Sequence, residues 1–544
     1  MTVALPLRDR TGLNLLFKHE YTPSDPGFHH FLTPGQFDAS FAPTQASVDS
    51  VTRWAAKMGV DVVSVSPNRT LVQLSGTASA IGTAFRTSLV TYKTPGGQSH
   101  PSITYMTPSS AAILPAALAG QVSSVVGLST LGRLATPAGG PATPAAGSAT
   151  PAASSATPAP SVTPAASGQG GLLGGLLGGL LGGGPPAPSP TQSAPIQGTP
   201  PHAATPAAAS YGPQALASIY NAPASAQGAG QTIANIVEGS LSQVTTDLST
   251  FETVHGLPHM PVTVVPVGAP SSDTSSQMEW DLDTQYSSGL VPKASRLLLY
   301  DAHSLSDSDV LNAINSFVTQ DKAKEAGLSG GECESVAAAD GALSATDNAL
   351  AQAVAQGQTL FAATGDDGAF CQALQSAGLT GAGGSPSVSY PASSIYAVGV
   401  GGTTIRATNP LSESAWTDSG GGASAYEARP PYQMPVIGAG ASRLTPDVSF
   451  DSDPATGCQV IVSGKEVTIG GTSAATQAWV GIWARAQGSH GGNLGFANEA
   501  IYAAPQSKFH DITQGDNGYY SATQGYDEVT GRGTPNIGAF LAGL

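Results

Sequence analysis

The segment Gly470-Gly471-Thr472-Ser473-Ala474-Ala475 places a serine between a glycine turn and a run of small residues. The paired glycines favour a tight turn, and the residues after them favour a helix that starts near Ser473. A hydroxyl there lies at the positive end of the helix dipole, beside backbone N–H groups that the helix does not use. This position suits a nucleophile and its oxyanion, although an ordinary N-cap serine would show the same pattern.

A second segment, Glu279-Trp280-Asp281-Leu282-Asp283-Thr284-Gln285, carries the candidate base. Glu279 and Asp283 are four residues apart and share one face of a helix. Two adjacent carboxylates repel each other unless they share a proton, which separates their pKa values and leaves one as a base in acid. None of the ten histidines lies in an HGTH motif that would supply a conventional base. A solvated acidic helix face is the alternative interpretation.

A third segment, Phe361-Ala362-Ala363-Thr364-Gly365-Asp366-Asp367-Gly368, runs from an apolar strand into a turn. It places Asp366 at the carboxyl end of the strand, which is the edge where α/β sheets carry their sites. A protonated Asp366 would donate a hydrogen bond to an oxyanion. A turn aspartate that caps the next backbone amides is the alternative.

Three regions follow from the pattern of the 544 residues. Residues 206–544 alternate strand-like runs, such as Thr232 to Val237 and Ala397 to Val400, with helical stretches such as Ala345 to Ala355. This alternation predicts an α/β domain with a mainly parallel sheet and flanking helices. Residues 131–205 are rich in Ala, Thr, Pro, Ser and Gly and predict a linker. Its Gly-Leu-Leu-Gly repeat, from Gly171, is either a flexible spacer or a self-associating or membrane-active patch.

Residues 1–130 predict a globular domain with the element order β-α-β-β-α-β, which is typical of a ferredoxin-like α+β fold. The predicted strands are Leu13 to Phe17, Val60 to Val65, Thr70 to Leu74 and Ser88 to Tyr92, and the predicted helices are Gln45 to Met58 and Ala78 to Phe85.

The composition excludes some classes of function. A formal net charge of −16 disfavours a nucleic-acid-binding surface. No apolar run is long enough to cross a bilayer, and the N-terminal residues show no apolar stretch of signal-peptide length. Only 10% of residues are charged, which suits an extracellular protein that works in acid. The cysteines Cys333, Cys371 and Cys458 lack CxxC spacing, so zinc is not expected, and they permit one disulfide.

The three site segments, in this order, resemble the sedolisins, or serine-carboxyl peptidases. Further matching motifs are His30-Phe31-Leu32-Thr33-Pro34, Val125-Val126-Gly127-Leu128, Gly401-Gly402-Thr403-Thr404, Gly420-Gly421-Gly422-Ala423-Ser424, Pro446-Asp447-Val448-Ser449 and Asp453-Pro454-Ala455-Thr456-Gly457. The resemblance implies a subtilisin-like fold with Glu279 as base, Asp283 as its partner, Ser473 as nucleophile and Asp366 in the oxyanion hole. It also implies an activation prodomain that inhibits the enzyme from within the same chain.

The chain departs from the family pattern at two positions. Gly330 stands where relatives have a tryptophan that works with a glutamate matched by Glu238, so the extended hydrogen-bond chain is not expected here. Gln477 stands where the family usually has proline, a change expected to affect stability more than catalysis.

The resemblance implies one Ca²⁺ ion, bound by the carboxylates of two aspartates and three backbone carbonyls. The residues are Asp511, Ile512, Thr523, Gly525 and Asp527, in a glycine-rich segment that suits calcium. Cys333 and Cys371 lie in loops expected near the active site and are predicted to form a disulfide. Cys458 is expected to be unpaired and buried.

These observations predict a secreted, monomeric, acid-acting endopeptidase for protein or peptide substrates. It would be made as a zymogen that cuts itself between about residues 165 and 210. A catalytically inactive binding protein on the same scaffold is the alternative. An esterase that uses Ser329, in Gly327-Leu328-Ser329-Gly330-Gly331, is disfavoured because the preceding residues look charged and helical rather than strand-like.

Overall fold

The computed structural model describes residues 1–93, 104–130, 132–135, 209–371 and 385–544. The predicted linker, apart from residues 132–135, lies outside these ranges. The Gly-Leu repeat and nearly all of the predicted cleavage zone lie outside them as well. Within the described ranges, no helix combines the length and the apolar character that a membrane crossing requires.

The N-terminal domain contains a four-stranded antiparallel sheet in the order β2-β3-β1-β6. With α3 and α4 as crossovers, this is the strand order of a ferredoxin-like fold. Its elements are β1 (Thr2–Ala4), α1 (Arg10–Tyr21), α2 (Pro34–Ser40), α3 (Gln45–Lys57), β2 (Asp61–Val65), β3 (Leu71–Ser75), α4 (Ala78–Phe85), β4 (Leu89–Lys93), β5 (Thr104–Pro108) and β6 (Ser124–Val126).

Two of the predicted strands need correction. Leu13 to Phe17 belongs to helix α1, where the two residues are four apart, and the Asp9 side chain caps the helix by accepting from the Gly12 N–H. The first strand is Thr2–Ala4. The predicted strand Ser88 to Tyr92 exists as β4, but it pairs with β5 in a separate hairpin, and β6 is the fourth strand of the sheet.

The C-terminal domain follows the predicted alternation of strands and helices. Its elements are α5 (Pro213–Ile219), β7 (Thr232–Glu238), α6 (Ser242–His255), β8 (Val262–Val267), α7 (Gln277–Gly289), β9 (Arg296–Ala302), α8 (Asp307–Gln320), β10 (Glu325–Leu328), β11 (Glu332–Cys333), α9 (Glu334–Asp340), α10 (Ala342–Ala355), β12 (Thr359–Ala363), β13 (Ser389–Tyr390), β14 (Ala397–Thr408), β15 (Leu411–Ala415), β16 (Gly422–Ala428), α11 (Met434–Ile437), β17 (Ser442–Thr445), β18 (Val448–Asp451), β19 (Cys458–Val462), β20 (Lys465–Ile469), α12 (Thr472–Ser489), α13 (Ala497–Ala503), β21 (Phe509–His510), β22 (Thr534–Pro535) and α14 (Ile537–Leu541).

The central sheet has the order β15-β14-β12-β10-β7-β9-β8, and β18 also pairs with β14. Every pairing is parallel except that of β14 with β15, which confirms the mainly parallel sheet. Helices cover both faces of such a sheet, so its inner strands β7, β10 and β12 are buried, whereas the edge strand β8 is partly exposed. Helix α12 is buried at every position from Thr472 to Gln487 and packs against α7, which brings two of the predicted site segments together.

The N-terminal sheet lies between two layers of helices. One face packs on α3 and α4 around Trp54 and Phe85. The other face packs on α8 and α10 of the C-terminal domain, where Leu71 and Leu311 belong to one buried cluster. Asn68 extends this contact, since its Nδ2 donates to an oxygen on each of those two helices at 2.8 Å. The four ion pairs of the described residues lie within one domain or the other. Across the domain contact, the Arg10 guanidinium donates a hydrogen bond to the neutral Asn348 side chain.

Candidate active site

Ser473 occupies the second position of helix α12, which begins at Thr472, one residue earlier than the sequence predicts. The preceding Gly471 has a φ of 119°, a conformation that favours glycine. Ser473 is fully buried in the chain with its N-terminal domain attached, and its Oγ has no hydrogen-bond partner among the described residues. The hydroxyl is therefore committed to no structural bond.

Asp366 is joined to the same helix start through Thr472. Its Oδ1 accepts from both the N–H and the Oγ1 of Thr472, each at 2.8 Å, whereas its Oδ2 has no partner among the described atoms. Burial raises the pKa of Asp366 well above its usual range; the bonds from Thr472 lower it, and the charges of Glu279 and Asp367 raise it further. The proton that this pKa retains belongs on Oδ2, because Oδ1 already accepts two hydrogen bonds.

Glu279 and Asp283 lie one turn apart on α7 and are both buried. Oδ1 of Asp283 accepts a hydrogen bond from the Ser329 hydroxyl at 2.7 Å. Burial raises the pKa of Asp283 well above its usual range, and the hydrogen bonds from Ser329 and Gln477 oppose that rise. Asp283 therefore favours its protonated form, as the proton-sharing argument requires of one carboxyl in the pair.

Gln477 extends this hydrogen-bond chain across the sheet. Its Nε2 donates to Ser329 Oγ at 3.0 Å, and its Oε1 accepts from Asn235 Nδ2 at 2.5 Å. The side chain lies over Gly327, where an added Cβ would come within 2.3 Å of Oε1. Gln477 was predicted to affect stability more than catalysis. Its spacing of four residues from Ser473 on one helix nevertheless indicates that it lies on the same face as the candidate nucleophile.

Ser329 was considered above only as an esterase nucleophile. The prediction that the residues before Ser329 are helical is wrong, because Glu325–Leu328 form the buried strand β10. Ser329 is nevertheless fully buried and bonded to a carboxylate and an amide. No described hydrogen bond joins it to a histidine, and the structure gives it a supporting position beside Asp283.

Residues 132–135 of the tail that follows the N-terminal domain lie between two segments of the C-terminal domain. The Leu134 N–H donates to the Leu305 carbonyl at 3.0 Å, and Ala135 exchanges two hydrogen bonds with Gly331, at 2.9 and 3.1 Å. Arg133 forms an antiparallel bridge with Ser306. The tail therefore adds a strand beside Ser329, the residue that contacts Asp283.

The predicted disulfide between Cys333 and Cys371 is present, with an S–S distance of 2.06 Å, and Cys458 is buried and unpaired. The bridge joins β11, which follows Gly331, to the loop that carries Asp366. It therefore ties the segment that pairs with the tail to the candidate oxyanion residue.

The predicted calcium residues share one loop cluster. Asp511 accepts from the Gly525 N–H at 3.0 Å, and Asp527 accepts from the Thr523 N–H at 3.0 Å. Burial raises the pKa of Asp527 to about 6. Two carboxylates held by the backbone of one short segment fit a hard cation that accepts oxygen ligands. A different acidic group, formed by the buried Asp307 and Glu332 and the half-buried Asp340, lies outside this cluster.

Comparisons with known proteins agree with this architecture. Residues 1–131 match the family model of the pro-kumamolisin activation domain. Sedolisin from Pseudomonas sp. (strain 101) is 32% identical over 569 residues, a match that covers the whole chain and 86% of the relative. Xanthomonalisin from Xanthomonas sp. (strain T-22) is 30% identical, covering 98% of this chain and 64% of its own length. The solved structure of Pseudomonas sedolisin with pseudo-iodotyrostatin superposes with a TM-score of 0.59 and 35% identity, covering 62% of this chain and 98% of that one.

Fold and relatives together define a serine-carboxyl peptidase in zymogen form, with an N-terminal activation domain before a subtilisin-like domain. The chain belongs to the sedolisin family.

Proposed function

We propose that the chain is the precursor of a secreted endopeptidase that works in acid and removes its own activation domain. Ser473 would be the nucleophile, Glu279 its base, Asp283 the partner of the base and Asp366 the oxyanion acid. The observation that carries this assignment is the pair of bonds from Thr472 to Asp366 Oδ1, which ties a protonated carboxyl to the residue next to Ser473.

The proposed reaction starts when Glu279 takes the proton of the Ser473 hydroxyl as Oγ attacks the peptide carbonyl. The carbonyl oxygen becomes an oxyanion, which accepts hydrogen bonds from the Ser473 N–H and the protonated Oδ2 of Asp366. Glu279 then passes its proton to the leaving amine, the C–N bond breaks and an acyl-enzyme remains. Water, activated by Glu279, hydrolyses the ester and restores the proton to Ser473.

Activity in acid follows from the opposite demands on these groups. Asp366 must keep its proton to act as a donor, whereas Glu279 must lose its own to act as a base. The raised pKa of Asp366 supports the first condition, and the retention of a proton by Asp283 supports the second, since a neutral neighbour does not repel an ionised Glu279. As pH rises and Asp366 ionises, its charge would repel the oxyanion.

The proposed organisation is an activation domain in residues 1–130, a cleavable linker in residues 131–205 and a peptidase domain in residues 206–544. The tail strand at residues 132–135 supports inhibition from within the chain. It occupies the backbone hydrogen-bonding groups of Gly331 and Leu305, with which an extended peptide substrate would pair. The disulfide supports secretion, since such bonds persist in oxidising compartments.

One Ca²⁺ ion is proposed for the loop cluster around Asp511 and Asp527, with the carbonyls of Ile512, Thr523 and Gly525. When bound, the ion would neutralise the buried Asp527 and the half-buried Asp511 and fix the loop that holds them.

Bringing the full chain and its Ser473→Ala variant to ~pH 4, where carboxylates begin to protonate, tests the proposal by mass spectrometry. Only the unaltered chain should shed its activation domain and digest an added denatured protein. Ser329→Ala serves as the matched serine control and should still cut. Processing of the Ser473→Ala variant by itself would refute the nucleophile, and a wild-type chain that cuts nothing would favour the binding-protein alternative.

A further inference from the structure

Gly330 lies directly under the side chain of Leu134. A Cβ added at Gly330 would be 3.3 Å from both Cβ and Cδ2 of Leu134 and 3.7 Å from Cδ1 of Leu328. Gly330 is not among the glycines with positive φ, so its backbone does not require glycine. The absence of a side chain at this position instead makes room for the leucine.

The leucine fills an apolar recess of the peptidase domain. Leu134 is only 7% exposed and belongs to the main core cluster, together with Leu305 and Leu328. Its neighbours in the tail, Arg133 and Ala135, are exposed. Burial therefore selects one side chain of this strand, and backbone hydrogen bonds hold the rest, which is how an added peptide strand is recognised.

The direction of the tail shows where a substrate would be cut. Because residues 132–135 run antiparallel to the segment from Ser329 to Gly331, a peptide continuing beyond Ala135 heads toward Ser329, which contacts Asp283. A substrate in this orientation would place the counterpart of Leu134 at least two residues before the cleaved bond.

We infer that the recess over Gly330 is a substrate subsite for a large aliphatic side chain, and that Leu134 occupies it in the zymogen. The inference rests on the proposed function and adds a specificity to it. The enzyme prefers peptides with leucine, isoleucine, methionine or valine at one position upstream of the cut.

Digestion of a mixed peptide library by the acid-processed wild type and by Gly330→Val, with sequencing of the products, tests the inference. The wild type should enrich aliphatic residues severalfold at one position two or more residues upstream, and Gly330→Val should lose that enrichment while it still cuts other peptides. A wild type that cuts with no such preference, or a variant that keeps it, overturns the subsite alone. A wild type that cuts nothing overturns the proposed function as well.

A second measurement does not depend on catalysis. In the Ser473→Ala chain, the Gly331 amide should exchange its hydrogen slowly because it donates to the Ala135 carbonyl. Leu134→Asp should accelerate this exchange at least tenfold, since a carboxylate does not fit the recess. Ala135→Asp, with the same charge on an exposed neighbour, is the control. Equal exchange in the two variants would overturn the inference.

Discussion

The Ser329 hydroxyl donates a hydrogen bond to Asp283 across 46 residues of sequence, at 2.7 Å. This bond stabilises the ionised form of Asp283 and lowers its pKa. Ser329→Ala should therefore raise the pKa of Asp283, which delays the loss of its proton and moves the alkaline limb of the kcat/KM profile to higher pH. The pH–rate profile measures this shift, and an unchanged limb with lower activity throughout would indicate a purely structural role.

Gln477 should act through Ser329. Gln477→Leu removes the donor to Ser329 but keeps a similar volume, so we expect kcat to fall about tenfold and the alkaline limb to shift in the same direction as for Ser329→Ala. The double variant should lose little more than either single one, because both changes break one chain of hydrogen bonds. Fully additive losses would contradict the proposed chain.

Asp366→Asn replaces an ionisable donor with an amide that does not titrate. We expect kcat to fall by about 10²-fold, as for other losses in an oxyanion hole, and the alkaline limb to move to higher pH. Asp367→Asn is the matched control. It removes a neighbouring charge that raises the pKa of Asp366, so its alkaline limb should move to lower pH. Shifts of the same sign in both variants would refute the role of Asp366.

Folding stability should fall as pH rises from about 4 to about 8. Burial raises the pKa of Glu325 to about 8 and that of Glu499 to about 7, so the folded chain keeps protons that the unfolded chain releases. Each such group costs about 1.4 kcal/mol per pH unit between its unfolded and folded pKa values.

Urea unfolding of the Ser473→Ala chain at several pH values measures this trend. Glu325→Gln should make the decrease of stability with pH less steep, because the glutamine amide cannot ionise. Both Glu325 oxygens lack a partner among the described residues, so the substitution breaks no described hydrogen bond. Stability that increases toward neutral pH would contradict the prediction.

The disulfide closes a loop with a sequence separation of 38 residues between Cys333 and Cys371. A chain-entropy estimate for that length gives a loss of about 4 kcal/mol in the free energy of unfolding when the bridge is removed. Cys333→Ser with Cys371→Ser should show this loss in urea titrations, whereas Cys458→Ser should cost far less. Equal effects would mean that packing of the thiols, rather than the cross-link, stabilises the domain.

Removal of calcium should lower the thermal midpoint of the processed enzyme. A chelator should reduce Tm by several degrees and added Ca²⁺ should restore it, because the ion binds only the folded state. Asp527→Asn should abolish the response to Ca²⁺, whereas Asp516→Asn, on an exposed turn nearby, should keep it. A full response in Asp527→Asn would contradict the proposed ligand set.

Local patterns explain which parts of the fold could be predicted. Residues 45–57 and 78–85 form helices close to the predicted bounds. The apolar spacing and the capping threonine that define each helix are local features of the sequence. The strand Thr2–Ala4 has three residues, too few to show a period, and Leu13 and Phe17 suggested a strand in its place. The partner of β4 depends on β5, which no local pattern identifies.

The candidate site divides in the same way. Glu279 and Asp283 are read from one helix, and Asp366 from one strand end. The contact of Gln477 with Ser329 joins residues 148 apart, so it depends on how α12 packs on the sheet. Gly330 departs from the family pattern in sequence, but the reason for a glycine there depends on Leu134, which is distant in sequence and packs above it.

The tail strand at residues 132–135 precedes the zone in which the linker is expected to be cut. Cleavage of the linker thus leaves the tail strand attached to the severed activation domain. The active site becomes accessible only when that fragment dissociates or is digested. We expect a lag between the first cut and the first turnover. Dilution would shorten it by favouring release, and each enzyme molecule set free would shorten it further for the molecules that are still blocked.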